Sequence, residues 1–166
     1  LGATIINAAT LTLYNNDDLF SDYVFENANV VLRVGLDVPY NDSTIVEWIK
    51  KGTFTVDYPT YNSSTITLTM LDYMEQFDRP YSLSTLIYPA TLAEIVRDAC
   101  SICLGSASQL KTQTLPHYNF SIATRPTDED ITFREVIGWC ATIAGCFARC
   151  DIDGKLELKW FNTNVL

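Results

Sequence analysis

The apolar residues of this chain change their period part-way along it, and that switch limits the folds open to it. Up to about Asp78 they alternate with polar residues, the two-residue period of a strand with one dry face. In Thr65-Ile66-Thr67-Leu68-Thr69-Met70-Leu71-Asp72, threonine occupies the wet side. Beyond Pro89 the apolar spacing becomes three and four, the period of an amphipathic helix. The switch predicts an α+β fold. An antiparallel, β-barrel-like part over residues 1–80 is followed by a small α/β domain over residues 81–166, with two helices and a C-terminal β-hairpin.

The strand candidates are Thr4-Ile5-Ile6, Thr10 to Tyr14, Asn29 to Gly35, Thr53 to Tyr58 and Thr65 to Asp72, with Glu47 to Gly52 leading into the fourth. Turn-forming Asn15-Asn16-Asp17-Asp18 and Tyr61-Asn62-Ser63-Ser64 separate them. Several short strands with such punctuation read as a small barrel or sandwich. In the second half, Thr91-Leu92-Ala93-Glu94 and Thr132-Phe133-Arg134-Glu135 are both T-x-x-E capping boxes, predicting helix starts. Gly105 and Gly145 are their expected stops. A strand is expected within Tyr118 to Ala123. Phe147 to Ile152 and Lys155 to Phe161 flank Asp153-Gly154, which predicts a type I′ hairpin turn, with Leu156, Leu158 and Trp160 on one face. The division between the two parts is expected near Arg79-Pro80-Tyr81.

Composition narrows the function. The chain carries 20 acidic and 11 basic residues, a formal charge of −9, and is 48% hydrophobic. That apolar content is ample for a packed core. The acidic balance argues against nucleic-acid binding, which needs basic residues to displace phosphate counterions. No apolar run approaches the ~20 residues of a membrane-spanning helix. Residues 1–80 hold 11 acidic and 4 basic side chains, a net of −7, and residues 81–166 hold 9 and 7, a net of −2. The opening Leu1-Gly2-Ala3, with no initiator Met, reads as part of a longer protein.

Few residues invite chemistry. Cys100-Ser101-Ile102-Cys103 has C-x-x-C spacing, open to a redox pair or half a zinc site with His117 and the later cysteines Cys140, Cys146 and Cys150. However, Cys100, Cys103 and Cys140 fall on the apolar helical stripes, where cysteine packs as a small hydrophobe. Cys140 with His117 also has the residue types of a thiol-hydrolase pair. Asp151-Ile152-Asp153-Gly154 opens like a calcium loop, but the remaining ligands are absent. Asp57, Asp72 and Asp78 have the residue type of a paired-carboxylate acid site, without spacing that gathers them. Thr127-Asp128-Glu129-Asp130 precedes the second helix, whose positive end it favours. Three N-x-[ST] sequons, at Asn41, Asn62 and Asn119, have no secretory signal to support glycosylation. The expectation is no enzyme, no cofactor and no metal.

The order of the motifs says more than any one of them. Glu47 to Asp57 resembles the E-x-I-x-x-G-x-F-x-V strand of tail hub proteins in tailed phages and prophages. Leu71 to Asp78 looks like the segment closing that strand pair, and Tyr88-Pro89-Ala90-Thr91-Leu92 with Ile95 resembles the family's Y-P-x-T-L-x-x-I helix start. Gly145-Cys146-Phe147-Ala148 and Asp153-Gly154-Lys155-Leu156 are similar to its C-terminal block. The resemblance is colinear over residues ~28–161.

It implies a structural protein, related to baseplate hubs, tail-tip proteins and type VI secretion spike hubs, that connects the tail tube to the tail tip or baseplate. It implies trimers whose tube-like barrels form a pseudo-sixfold ring, with the α/β domain beside the barrel. The implied partners are further copies of itself and other tail proteins, namely tail tube, distal tail, spike or fibre proteins. The implied location is the virion tail, after assembly in the host cytoplasm, without a membrane. The acidic first half would suit a channel through which DNA slides without sticking. The family's first barrel has strands ahead of the segment matching Gly2-Ala3-Thr4, so the barrel here is expected to be incomplete. The peptidase or lysin domain of some tail-tip proteins lies beyond the position of Leu166, so no wall-degrading activity is expected of these residues. Trp48, Tyr58 and Tyr61 are candidate interface anchors, or else barrel core. Two other functions remain open: a fragment of a tail-associated cell-wall hydrolase, or a receptor- or sugar-binding module of the virion surface.

Overall fold

The computed structural model describes residues 1–41, 43–111 and 115–160. They form an α+β structure divided into two compact units. Asn7–Asp72 with Ile152–Gly154 make a sheet unit, while Leu1–Ile6, Tyr73–Asp151 and the chain from Lys155 onward make a helical unit.

The sheet unit is built on four strands, β2 (Ala8–Tyr14), β3 (Asn29–Tyr40), β4 (Ser43–Tyr61) and β5 (Thr65–Asp72). All pair antiparallel in the order β2-β5-β4-β3. The sheet curls into a half-barrel that stays open between its edges β2 and β3, in line with the expected incomplete barrel. Alternation along β5 does what its sequence predicts: Ile66, Leu68 and Met70 are buried, and the threonines between them are not. Those three pack with Phe54 and Val56, and the loop after β2 folds Phe20 and Phe25 over them. Asp72 is buried at the strand end, where it accepts hydrogen bonds from the Asn7 backbone (3.0 Å) and side-chain amide (2.6 Å).

In the helical unit, α1 (Leu92–Cys103) and α2 (Phe133–Ala144) start where the capping boxes predict. Both boxes are formed: the Thr91 and Thr132 hydroxyls accept from the third backbone N–H, and Glu94 and Glu135 accept the cap N–H in return. Hydrogen bonds from the Thr91 backbone and side chain hold the Glu94 carboxyl below its ordinary value. Thr91→Ala and Thr132→Ala are each expected to lower unfolding free energy by ~1 kcal/mol, read from urea midpoints. A null effect in both would mean that the boxes are incidental. α2 ends at Gly145, whose left-handed φ of 70° leaves its N–H to bond the last-turn carbonyls. The stripes of both helices meet in one core with Met74, Phe77, Tyr81, Leu156 and Leu158.

A three-stranded sheet completes this unit: β1 (Thr4–Ile5), β8 (Phe147–Cys150) and β9 (Leu156–Lys159), with short β6 (Ala90–Thr91) paired to β7 (Ser121–Ile122) elsewhere. The strand at Thr4-Ile5 was expected in the barrel, but it runs parallel to β8 instead. The Gly2 N–H donates to the Cys146 carbonyl, and Gly2 approaches Gly138 of α2 so closely that a Cβ on either would lie 3.0 Å from the other's carbonyl oxygen. Packing therefore divides the chain after Asp72, not near Arg79, and places the first six residues with the helices rather than in a continuous 1–80 part.

Two local expectations are corrected. The β8–β9 connection is not a type I′ turn, since Gly154 has φ 78° while Asp153 is not in the positive region. The Asp151 carboxylate accepts the Lys155 N–H (3.0 Å), widening the turn to five residues. Trp160 does not join Leu156 and Leu158 in the core but stands exposed beyond the end of β9. Phe161, the last residue of the expected second strand, lies outside the described residues.

Candidate functional site

β3 and β4 are longer than their sequence segments suggest. They continue as a two-stranded arm, Arg33–Lys50, that turns at Asn41, where φ is 52°. Register assigns its faces, since directly paired residues share one. Val34 pairs with Ile49, Leu36 with Glu47 and Val38 with Ile45, so five of these six side chains are apolar. Val34, Leu36, Ile45 and Ile49 are 41–54% exposed. The opposite face carries Arg33 against Lys50, Gly35 against Trp48 and Asp37 against Val46. Trp48 lies across the bare Gly35, where a Cβ would meet its ring at 3.2 Å. A two-stranded ribbon is marginal in water by itself, and one that exposes apolar side chains on both faces is a surface to be covered.

Trp48, Tyr58 and Tyr61 are 64%, 53% and 58% exposed, so none is barrel core. The arm places Trp48 well beyond the packed sheet, while Tyr58 and Tyr61 lie on the distal half of β4. The apolar face of Val34, Leu36, Val38, Ile45 and Ile49 was not singled out from sequence. Its signal was present: the alternation continues through Val38 and resumes at Ile45 across the turn-forming Asn41-Asp42. Because the arm adds nothing to the core, Trp48→Ala and Leu36→Ser are expected to change unfolding free energy by no more than ~0.5 kcal/mol. A loss of several times that, measured by thermal melting, would mean that the arm supports the sheet.

The residues with catalytic chemistry are not gathered. All five cysteines are buried, and none is in a disulfide. Burial pushes Cys100, Cys103 and Cys140 up to about 12 and raises Cys146, so they are protonated at neutral pH and poor as nucleophiles or metal ligands. His117 is exposed in a left-handed turn. Among the described residues, no group of three or more His, Cys, Asp or Glu side chains is placed to hold a metal. The carboxylates of the supposed acid site have separate surroundings: Asp72 is bonded to Asn7, Asp78 pairs with Arg134 (2.6 Å), and Asp57 is exposed on β4. Burial raises the Asp78 carboxyl despite Arg134 beside it.

The helical unit has a cavity of about 200 Å³ between α1 and α2, lined by Ile95, Ile122, Val136, Trp139 and Ile143. Its one hydroxyl, Tyr88, exchanges a 2.7 Å hydrogen bond with Tyr81 and is held above its usual value, first by burial. Such a lining packs apolar groups but offers no acid or base. No helix among the described residues is long and apolar enough to cross a membrane.

The fold itself has a counterpart. It is similar to that of a prophage tail protein. The 43 kDa tail protein of prophage MuSo2 from Shewanella oneidensis superposes with a TM-score of 0.50 at 17% identity, over 93% of this chain and 46% of that one. The chain thus spans about half the length of this neighbour. No protein-family model and no curated protein matches the chain by sequence.

Proposed function

We propose that this chain is a structural, non-enzymatic part of a phage or prophage tail, acting in the hub that connects the tail tube to the tail tip or baseplate. The observation that carries this reading is the fold shared with a prophage tail protein over 93% of the chain. The exposed β-arm supports it, since a protein that works by assembly needs surface to offer its neighbours. The partners proposed are further copies, as a trimer of the full-length protein, and tail tube, distal tail, spike or fibre proteins. The location proposed is the virion tail, reached by assembly in the host cytoplasm. The −7 charge of residues 1–80 suits the wall of a DNA channel, because like charge keeps phosphates from binding.

The test is deletion of the coding segment in a host carrying the phage, followed by electron microscopy of the particles released. Heads without joined tails, or tails without tips, are expected, and the protein should be found in purified wild-type particles. Intact infectious particles from the deletion strain would overturn the proposal.

A further inference from the structure

The surface of the sheet unit is divided by charge. Its three basic residues, Arg33, Lys50 and Lys51, all lie at the base of the arm. The loop between β2 and β3, residues 15–28, carries Asp17, Asp18, Asp22 and Glu26 and no basic residue. Each region also exposes apolar surface. The arm shows Trp48 and Val46 on the Arg33–Lys50 face, and the loop shows Leu19, Tyr23 and Val24, with Tyr23 stacked on Phe25 (6.1 Å). These are complementary surfaces on one chain: acidic and apolar in the loop, basic and apolar on the arm.

They do not satisfy one another within a copy. Among the described residues, no ion pair joins the loop carboxylates to Arg33, Lys50 or Lys51, and Lys50 is held by Asp153 at 2.7 Å. β3 leaves the loop at Asn29 and runs away from it, so the Gly35–Trp48 pair sits six residues further on, ~20 Å along the strand. A hydrogen-bonded ribbon does not bend back over that distance.

The partner that fits is a second copy of this chain. We infer that the arm of one copy docks on the 15–28 loop of the next, head to tail, with Arg33 and Lys51 facing its carboxylates and Trp48 meeting Leu19, Tyr23 and Val24. Trp and Arg are also the side chains over-represented among binding hot spots. Because arm and loop are different surfaces, the contact is heterologous and repeats from copy to copy until the ring closes. The inference rests on the self-assembly proposed above and names the surfaces that perform it.

Charge reversal tests it. One variant carries Arg33→Glu with Lys51→Glu, a second carries Asp17→Lys with Asp22→Lys, and a third carries all four. Sedimentation of the full chain should show the wild type associated, and each two-site variant weakened on the order of 100-fold by like charges across the contact. The four-site variant should associate again. That recovery excludes misfolding as the cause of the loss. Association of the wild type should also weaken as salt shortens the screening length from ~10 Å at 0.1 M to ~3 Å at 1 M. A wild type that stays monomeric would overturn both self-assembly and the pairing. An associated wild type whose two-site variants associate equally well, or whose four-site variant does not recover, would overturn the arm–loop pairing alone.

Discussion

Phe133→Ala is expected to remove about 4 kcal/mol of stability from the helical unit, the cost of deleting a fully buried aromatic ring and leaving a cavity. The ring is wholly inaccessible and meets Tyr81 edge-to-face, with centroids 5.0 Å apart at 73°. Tyr81 is itself a junction. The Arg125 guanidinium lies 5.3 Å from its ring centre and donates to the Tyr81 and Ser84 carbonyls at 3.1 and 2.6 Å. Ser84 in turn donates to Asp98 on α1 (2.6 Å). Phe133 is also the first residue of α2, immediately after its Thr132 cap. Removing it therefore loosens the wedge between α2 and the Tyr81 turn as well as emptying volume. Domains of this size hold only ~5–15 kcal/mol in total, so the variant should lose much of its margin. Amide exchange in α1 and α2 should accelerate, while β5 amides, in the other unit's core, should stay near their wild-type rates. Phe133→Leu, which keeps most of the volume, should cost far less. A loss below about 1 kcal/mol for the alanine variant would mean that the surroundings collapse to fill the site.

Glu157→Ala is expected to cost about 3 kcal/mol, the lower end of the range for breaking a buried ion pair. Glu157 sits in β9 with its side chain almost wholly covered, and accepts Arg149 Nε and Nη2 on Oε1, both at 2.7 Å. Lys111 reaches Oε2 at 3.1 Å and Asp151 at 3.0 Å. The lower end applies because both cations keep contact with water and Lys111 retains Asp151, so only Arg149 is left short of a partner. Burial by itself would raise the Glu157 carboxyl; hydrogen bonds from Arg149 and Lys111 outweigh it and hold the group below its ordinary value of 4.5. A carboxyl depressed in the folded state contributes stability that is fully present above its unfolded value and is lost as pH falls through its folded value. The stability gap between wild type and Glu157→Gln should thus be constant near neutrality and shrink on acidification below about 4.5. A gap independent of pH in urea titrations would mean that Glu157 acts by shape alone.

Some elements were legible because the causes lie close together in the chain. Thr91 and Glu94, or Thr132 and Glu135, are three residues apart and satisfy each other's backbone donors wherever the helix goes. The Ile66-Leu68-Met70 alternation likewise commits β5 to one dry face before any partner is known. The burial of Cys100, Cys103 and Cys140 followed from their place on the apolar helical stripes. Other features depend on distant residues. Nothing near Thr4-Ile5 says that it pairs with β8, because the deciding contacts, Gly2 with Cys146 and Gly138, are over a hundred residues away. Glu157 alternates with Leu156 and Leu158 along β9, and its burial is tolerable because Arg149 on β8 and Lys111, on the connection between α1 and β7, pair with it.

The interaction surface divides in the same way. Val34, Leu36 and Val38 followed by Ile45 and Ile49 show an amphipathic ribbon in the sequence, but an amphipathic strand normally reads as half of a core. The sequence by itself determined local conformation: where helices start, which strand face is apolar, and that the acidic residues crowd the first half. Only the tertiary structure decided that the core ends near Leu32 and Lys51, leaving the same pattern in water beyond it. The physical reason is that burial is a property of partners. An apolar face becomes core where another element covers it, and in this chain nothing among the described residues covers the arm.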